Sequence, residues 1–164
     1  MRSIERILVL LLSALALFEA RFALAETRAD GQPIRYRSDA AFVDVFEDTK
    51  LAVTNRGLKI NGISYIGKML ARTGGDVGSS RKIYRDARTI EFCSATESRR
   101  MMEADPHNAV FCPYAIAVYE TEAEPGVVYV AYRAPGPGGS AASREALARI
   151  TRMLDEIARE GAGR

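Results

Sequence analysis

"FCSATESRRMMEADPHNAVFCPYAIAVYE", residues 92–120, holds both cysteines of the chain. Each follows a phenylalanine, Phe92-Cys93 and Phe111-Cys112. The stretch closes a strand-like run, "ARTIEFC", at 87–93. Ser94-Ala95-Thr96-Glu97 then has the S-x-x-E spacing of a capping box. The serine oxygen can take the N3 amide while the glutamate returns to the N-cap amide. A short helix is expected from Ala95 to Ala104. Asp105 ends it, because the residue before Pro106 is pushed out of helical backbone. "PYAIAVYE", 113–120, alternates with period two and places Tyr114, Ile116 and Val118 on one face. A turn at "TEAEPG" and the run "VVYVAYR", 127–133, complete a hairpin. Both faces of this hairpin are largely apolar, so helices are expected to cover one side of it.

On the N-terminal side, Glu26–Ser38 is polar, carries Gly31 and Pro33, and reads as a loose lead-in. "FVDVF", 42–46, alternates and predicts a first strand. "EDTKLAVTNRG" reads as a short helix with Gly57 at C′, where φ is often positive. "LKINGISYIGKML" reads as a strand interrupted by Gly62 and Gly67. "RTGGDVGSSRK", 72–82, reads as a loop. On the C-terminal side, "APGPGGSAAS", 134–143, is linker-like. Leu147, Ile150, Leu154 and Ile157 then give an amphipathic helix ended near Gly161. That helix is expected to dock on the sheet; a tethered, partner-binding helix is the alternative. The resulting boundaries are 1–25, 26–41, 42–134 and 135–164: leader, flexible lead-in, domain, and linker with helix.

Residues 1–25 have the pattern of a secretory signal peptide. Arg2 and Arg6 form the basic region, Ile7–Phe18 the apolar one, and "ALA" at 23–25 the small-residue cleavage site. The apolar run falls short of the roughly 20 residues that span a bilayer. Cleavage after Ala25 leaves no stable membrane anchor and places the mature chain in the periplasm or outside the cell, where disulfides persist. The whole chain carries only +2, and cleavage removes Arg2, Arg6, Arg21, Glu5 and Glu19 to leave it nearer neutral. Nucleic acid is therefore not an expected partner.

The segment from Glu91 to Arg133, "EFCSATESRRMMEADPHNAVFCPYAIAVYE" followed by "VYVAYRAP", resembles the family of domain of unknown function 302 (DUF 302), and an exported bacterial member of it. "RGLKINGISYIGKML" resembles an earlier segment of that family. The resemblance spans roughly residues 42–134 and implies a single small α+β domain with an antiparallel sheet backed by helices. It carries no known reaction. Two departures stand out. Members often read proline then cysteine where this chain has Cys112-Pro113. Many carry a histidine near the position held here by Tyr65, which makes Tyr65 the corresponding binding candidate.

The remaining chemistry is sparse. Cys93 and Cys112 read as a disulfide, as a reduced core pair, or as a functional thiol or metal pair. No C-x-x-C is present, so thioredoxin-like exchange has no motif. His107, the one histidine, sits after Asp105-Pro106 and reads as a solvated loop residue, with ligand or base as the sharper alternative. A copper site would need Met101 or Met102 as a soft ligand beside the cysteines and His107; core packing is the favoured reading of both methionines. "GGDVGSSRK" fails the phosphate-loop spacing, so a connector or lid is favoured over an anion site. Arg81, Lys82, Arg85 and Arg88 beside it read as a solvated basic run. No motif names a cofactor, and no paired acid and base mark an enzyme. The expectation is an exported binding or accessory domain that takes a small molecule or a periplasmic protein partner. A thiol-based redox or metal-handling protein using Cys93 and Cys112 is the alternative from another class. A partner-docking module working through the C-terminal helix is the third.

Overall fold

The computed structural model describes residues 32–164. The signal-peptide reading of residues 1–25 lies outside the described residues. Five strands form one antiparallel sheet in the order β1-β5-β4-β3-β2. They are β1 (Ile34–Ser38), β2 (Lys59–Ser64), β3 (Tyr84–Cys93), β4 (Tyr114–Thr121) and β5 (Val128–Tyr132). Four α-helices join or follow them: α1 (Phe42–Thr54), α2 (Ile66–Thr73), α3 (Ala95–Ala104) and α4 (Ala141–Gly161). A 3-10 segment, Pro106–Phe111, links α3 to β4. Helix α4 packs on α1, α3, β5 and β1, so the C-terminal helix is docked on the sheet. Among the described residues no helix is long and apolar enough to cross a membrane.

The core lies between the sheet and the α1–α4 layer. Ile90, Phe92, Tyr114, Ile116, Val118, Val128 and Val130 point into it from three adjacent strands. Leu147, Ile150, Leu154 and Ile157, the stripe read from sequence, meet them from α4 and are all buried.

Two local readings are overturned. "FVDVF" is not a strand; it opens α1. Phe42, Val45, Phe46, Thr49, Ala52 and Val53 are the buried positions, spaced as one face of a helix. Five residues are too short a window to separate that period from alternation. The first strand lies instead at 34–38, inside the segment read as a flexible lead-in. There Ile34, Tyr36 and Ser38 face inward while Arg35 and Arg37 are exposed. The second correction concerns residues 65–71. The strand ends at Ser64 and α2 begins at Ile66. Gly62 does mark an irregularity, since the β2–β3 register shifts between Ile60 and Gly62. Gly67 serves another purpose: a Cβ there would lie 2.9 Å from the Ala87 backbone nitrogen, so its hydrogen lets α2 settle on β3.

Alternation along β3 divides its side chains between two faces. Arg88 pairs in register with the buried Val118 and lies on the core side. Its guanidinium sits 4.8 Å from the ring centres of both Phe42 and Phe46 and bonds the Asp86 carboxylate at 2.6 Å. Ala87, Thr89, Glu91 and Cys93 take the opposite face. There Ala87 neighbours Tyr119, and Tyr119 stacks on Tyr129 with ring centres 5.5 Å apart.

Asp155 of α4 ties the helix layer to the far edge of the sheet. Its carboxylate accepts hydrogen bonds from Tyr36 of β1, from Tyr132 of β5 at 2.7 Å, and from Arg159 at 2.7 Å. Burial pushes this carboxyl up, but the three donors outweigh burial and hold it below its ordinary value. Its contribution is therefore fully present above about pH 4 and is lost as pH falls through the lower folded-state value. Asp155→Asn is expected to cost about 2 kcal/mol near neutral pH. The gap to the parent should close on acidification, as read from urea midpoints across that range. Gly67→Ala should lower the thermal midpoint, although the same exchange in an open helix gains roughly 1 kcal/mol. A rise would show that the Gly67–Ala87 approach is not tight.

Candidate functional site

Cys93 is the last residue of β3 and stands opposite Lys59 of the edge strand β2. Cys112 closes the 3-10 segment immediately before β4, and its peptide bond to Pro113 is cis. Because β3 and β4 are direct neighbours, the crossover through α3 returns the second cysteine beside the first. The two Sγ atoms are 2.6 Å apart, and both residues are half-buried, free cysteines.

Three features fix this geometry. Ser94 caps α3: its hydroxyl accepts the Glu97 amide at 3.3 Å. Only this half of the predicted capping box forms, because the Glu97 carboxylate instead meets Arg100 at 2.7 Å and Arg149 of α4 at 3.4 Å. Asp105 leaves the helix with φ −162° and accepts the His107 amide at 2.9 Å, which starts the 3-10 turn. Asn108, buried in that turn, donates to the Met101 carbonyl and to the Ser143 hydroxyl, both at 2.8 Å, and so anchors the turn to α3 and α4. Asn108 carries no catalytic motif, and nothing in the sequence marks it except its place after Asp-Pro.

Around the sulfurs, Ser98 of α3 lies 3.8 Å from Cys112 Sγ and 3.0 Å from the Tyr114 hydroxyl. Burial pushes the Cys93 thiol up to about 11, with the hydrogen bond and charge of Cys112 adding to it; the Tyr114 amide and Asn61 oppose this only in part. Burial likewise pushes the Tyr114 phenol up to about 12. Both groups hold their protons at neutral pH. At pH 7 a thiol with that value is ionised to roughly one part in ten thousand, and thiolate is the nucleophilic form.

The profile of the domain of unknown function DUF302 matches residues 34–160. The chain belongs to the DUF302 family. A crystal structure of an uncharacterized conserved DUF302 protein from Bacillus stearothermophilus is similar, with TM-score 0.65 and 16% identity. The match covers 78% of this chain and 96% of that one. This likeness shows a shared fold. No curated protein matches the chain. The DUF302 match takes in β1 and nearly all of α4, beyond the 42–134 span of the resemblance.

The other site candidates of this DUF302 chain stand apart from the cysteines. Tyr65 follows β2 at the end opposite Lys59, six residues along the chain or roughly 20 Å from the Cys93 level. It is exposed and neighbours the cations of Lys68 and Arg88. His107 is exposed in the 3-10 turn, and its side chain has no hydrogen bond or ion pair among the described residues. Met101 is fully buried and Met102 packs against the core, so both serve packing. Phe92 is fully buried with Tyr114 as its aromatic partner at 6.0 Å, while Phe111 covers the core edge. Among the described residues no group of three or more His, Cys, Asp or Glu could hold a metal ion.

A second feature lies at the other end of β3. Helix α2, the glycine-rich loop and the start of β3 enclose a groove of about 340 Å³. Its lining includes Gly67, Leu70, Ala71, Ile83 and Tyr84, together with the basic Arg81 and Lys82. A hollow of about 110 Å³ beside Pro113 has room for only a few waters.

In reduced protein, Cys93 should resist alkylation at neutral pH. Its labelling by iodoacetamide, read by peptide mapping, should climb steeply only toward pH 11. Rapid labelling at pH 7 would show a thiolate-stabilising environment that the neighbouring residues do not supply.

Proposed function

We propose that this DUF302 chain is an exported binding domain, stapled by a Cys93–Cys112 disulfide, that takes up a small molecule. The observation that supports binding is the groove between α2, the glycine-rich loop and β3. Its volume of about 340 Å³ falls at the lower end of the range of about 300–1,000 Å³ typical of ligand sites. The leader pattern at residues 1–25 supports export, and export favours oxidation of an adjacent cysteine pair.

The alternative, a thiol-exchanging or metal-handling protein, draws on the 2.6 Å approach of the sulfurs. In exchange, a partner disulfide would be reduced while the two thiols lose two electrons and two protons to form the Cys93–Cys112 bond. A thiol at about 11 is a poor attacking group at neutral pH and a poor leaving group on return. The same property suits an inert staple. Closing the 19-residue separation restricts the unfolded chain by roughly 3 kcal/mol.

Denatured, unreduced protein from the exporting compartment should titrate with no free thiol. Reduction should lower its urea midpoint by an amount matching that 3 kcal/mol, and Cys93→Ser with Cys112→Ser should do the same. Two free thiols would refute the staple. Native mass spectrometry of the same preparation should show a bound small molecule. An empty protein that turns over a substrate would sink the binding reading.

A further inference from the structure

The groove beside the glycine-rich loop combines an apolar wall with an unpaired cation. Leu70 and Ala71 of α2 and Ile83 of the following segment supply the wall. Ile83 is 43% exposed, a large apolar side chain left open to solvent inside the groove. The two basic residues of the lining differ. Lys82 is already paired with Glu122 at 2.6 Å. Arg81 is exposed and makes no hydrogen bond or ion pair with any described residue. The Ser79 and Ser80 hydroxyls beside it are also without a side-chain hydrogen bond among the described residues, and no backbone bond of the loop uses the Ser80 or Arg81 amide.

The loop that presents these groups is built, not slack. The Ser79 amide donates to the Gly74 carbonyl at 2.8 Å, and a Cβ on Gly74 would collide with the Ser79 carbonyl. Gly78 has φ +69°, where a side chain would be strained. Bonds from Asp76 to Thr73 and from Gly78 to Gly75 complete the fold-back. The serines and Arg81 thus line the groove together with Leu70 and Ala71 of α2.

We propose that this groove binds a small amphiphilic organic anion, with its head on Arg81 and the Ser79–Ser80 hydroxyls and a short alkyl tail against Leu70, Ala71 and Ile83. The inference rests on the binding-domain reading and names the ligand class of that site. A volume of about 340 Å³ suits a small ligand. A guanidinium with free donors favours a carboxylate or an equivalent oxyanion, and the apolar wall disfavours a bare inorganic ion.

Hexanoate, its neutral counterpart hexanamide and inorganic phosphate separate these contributions. Titrated into the full mature chain and followed by NMR, hexanoate should shift the Ser80, Arg81 and Ile83 amides and bind at least tenfold more tightly than either other probe. Arg81→Gln, at an exposed site, should keep the thermal midpoint and lose about tenfold in hexanoate affinity. Leu70→Ser should weaken hexanoate while leaving its preference over hexanamide. Equal binding of hexanamide, or an unaltered Arg81→Gln, overturns the anionic head but leaves a binding groove. Phosphate binding as tightly as hexanoate overturns the tail. If no probe binds while native mass spectrometry still finds a bound molecule, this groove is wrong and the binding domain stands. If that spectrum is empty as well, both fall.

Discussion

Phe92 and Tyr114 face each other across the β3–β4 ladder, both buried, with ring centres 6.0 Å apart. This register is the constraint on which the other features depend. A slip of β3 by one residue would turn Ile90 and Phe92 away from the α1–α4 layer and open the core beneath Ile116 and Tyr114. With the pair in place, Cys93 must lie one residue beyond the ladder on β3 and Cys112 two residues before Tyr114. The chain between them has to leave and re-enter at one end of the sheet. The capped helix α3 and the turn anchored by Asn108 do that within a short segment. The sulfur approach therefore follows from core packing.

Much of this was legible because its signals are chemical and local. The Ser94 cap, the stop at Asp105-Pro106, the alternation of β4 and the stripe of α4 each follow from a few residues. What was illegible depended on context. "FVDVF" satisfies a strand period over five residues, and its helix appears only when Thr49, Ala52 and Val53 extend the buried face. "IRYRS" alternates just as well, but Gly31 and Pro33 beside it suggested a loop. Its status as a strand comes from pairing with β5, a contact some hundred residues distant. Gly67 was read as a strand interruption, because its close approach to Ala87 exists only in three dimensions. The cysteine pair was legible as a pair. The proton-holding character of Cys93 was not, since it arises from burial and from Cys112 together.

The two ends of β3 differ in kind. At the cysteine end several polar groups meet one another: Ser98 meets Tyr114, Asn108 meets Ser143 and the α3 backbone, and Glu97 lies against two arginines. These bonds hold the α3 crossover in one conformation. At the α2 end, Arg81 and the two serines point to no described partner while an isoleucine stands exposed beside them. Unsatisfied donors beside exposed apolar surface are the combination that a ligand can satisfy on both counts.

That division also explains why the glycine-rich loop resisted interpretation from sequence. Its motif does not match a phosphate loop, and its basic neighbours resemble any solvated run. The structure separates them by what each already holds. Lys82 is paired with Glu122, Arg85 meets Glu120 at 3.3 Å, and Arg88 is stacked on two phenylalanines and bound to Asp86. Three of the four cations thus have structural employment within the sheet and its strand ends. Arg81 alone of the four makes no hydrogen bond or ion pair among the described residues, and it lines the groove. A cation without an ion pair in its own fold, carried beside a groove on a loop with tightly constrained glycines, is the feature on which the proposed recognition rests.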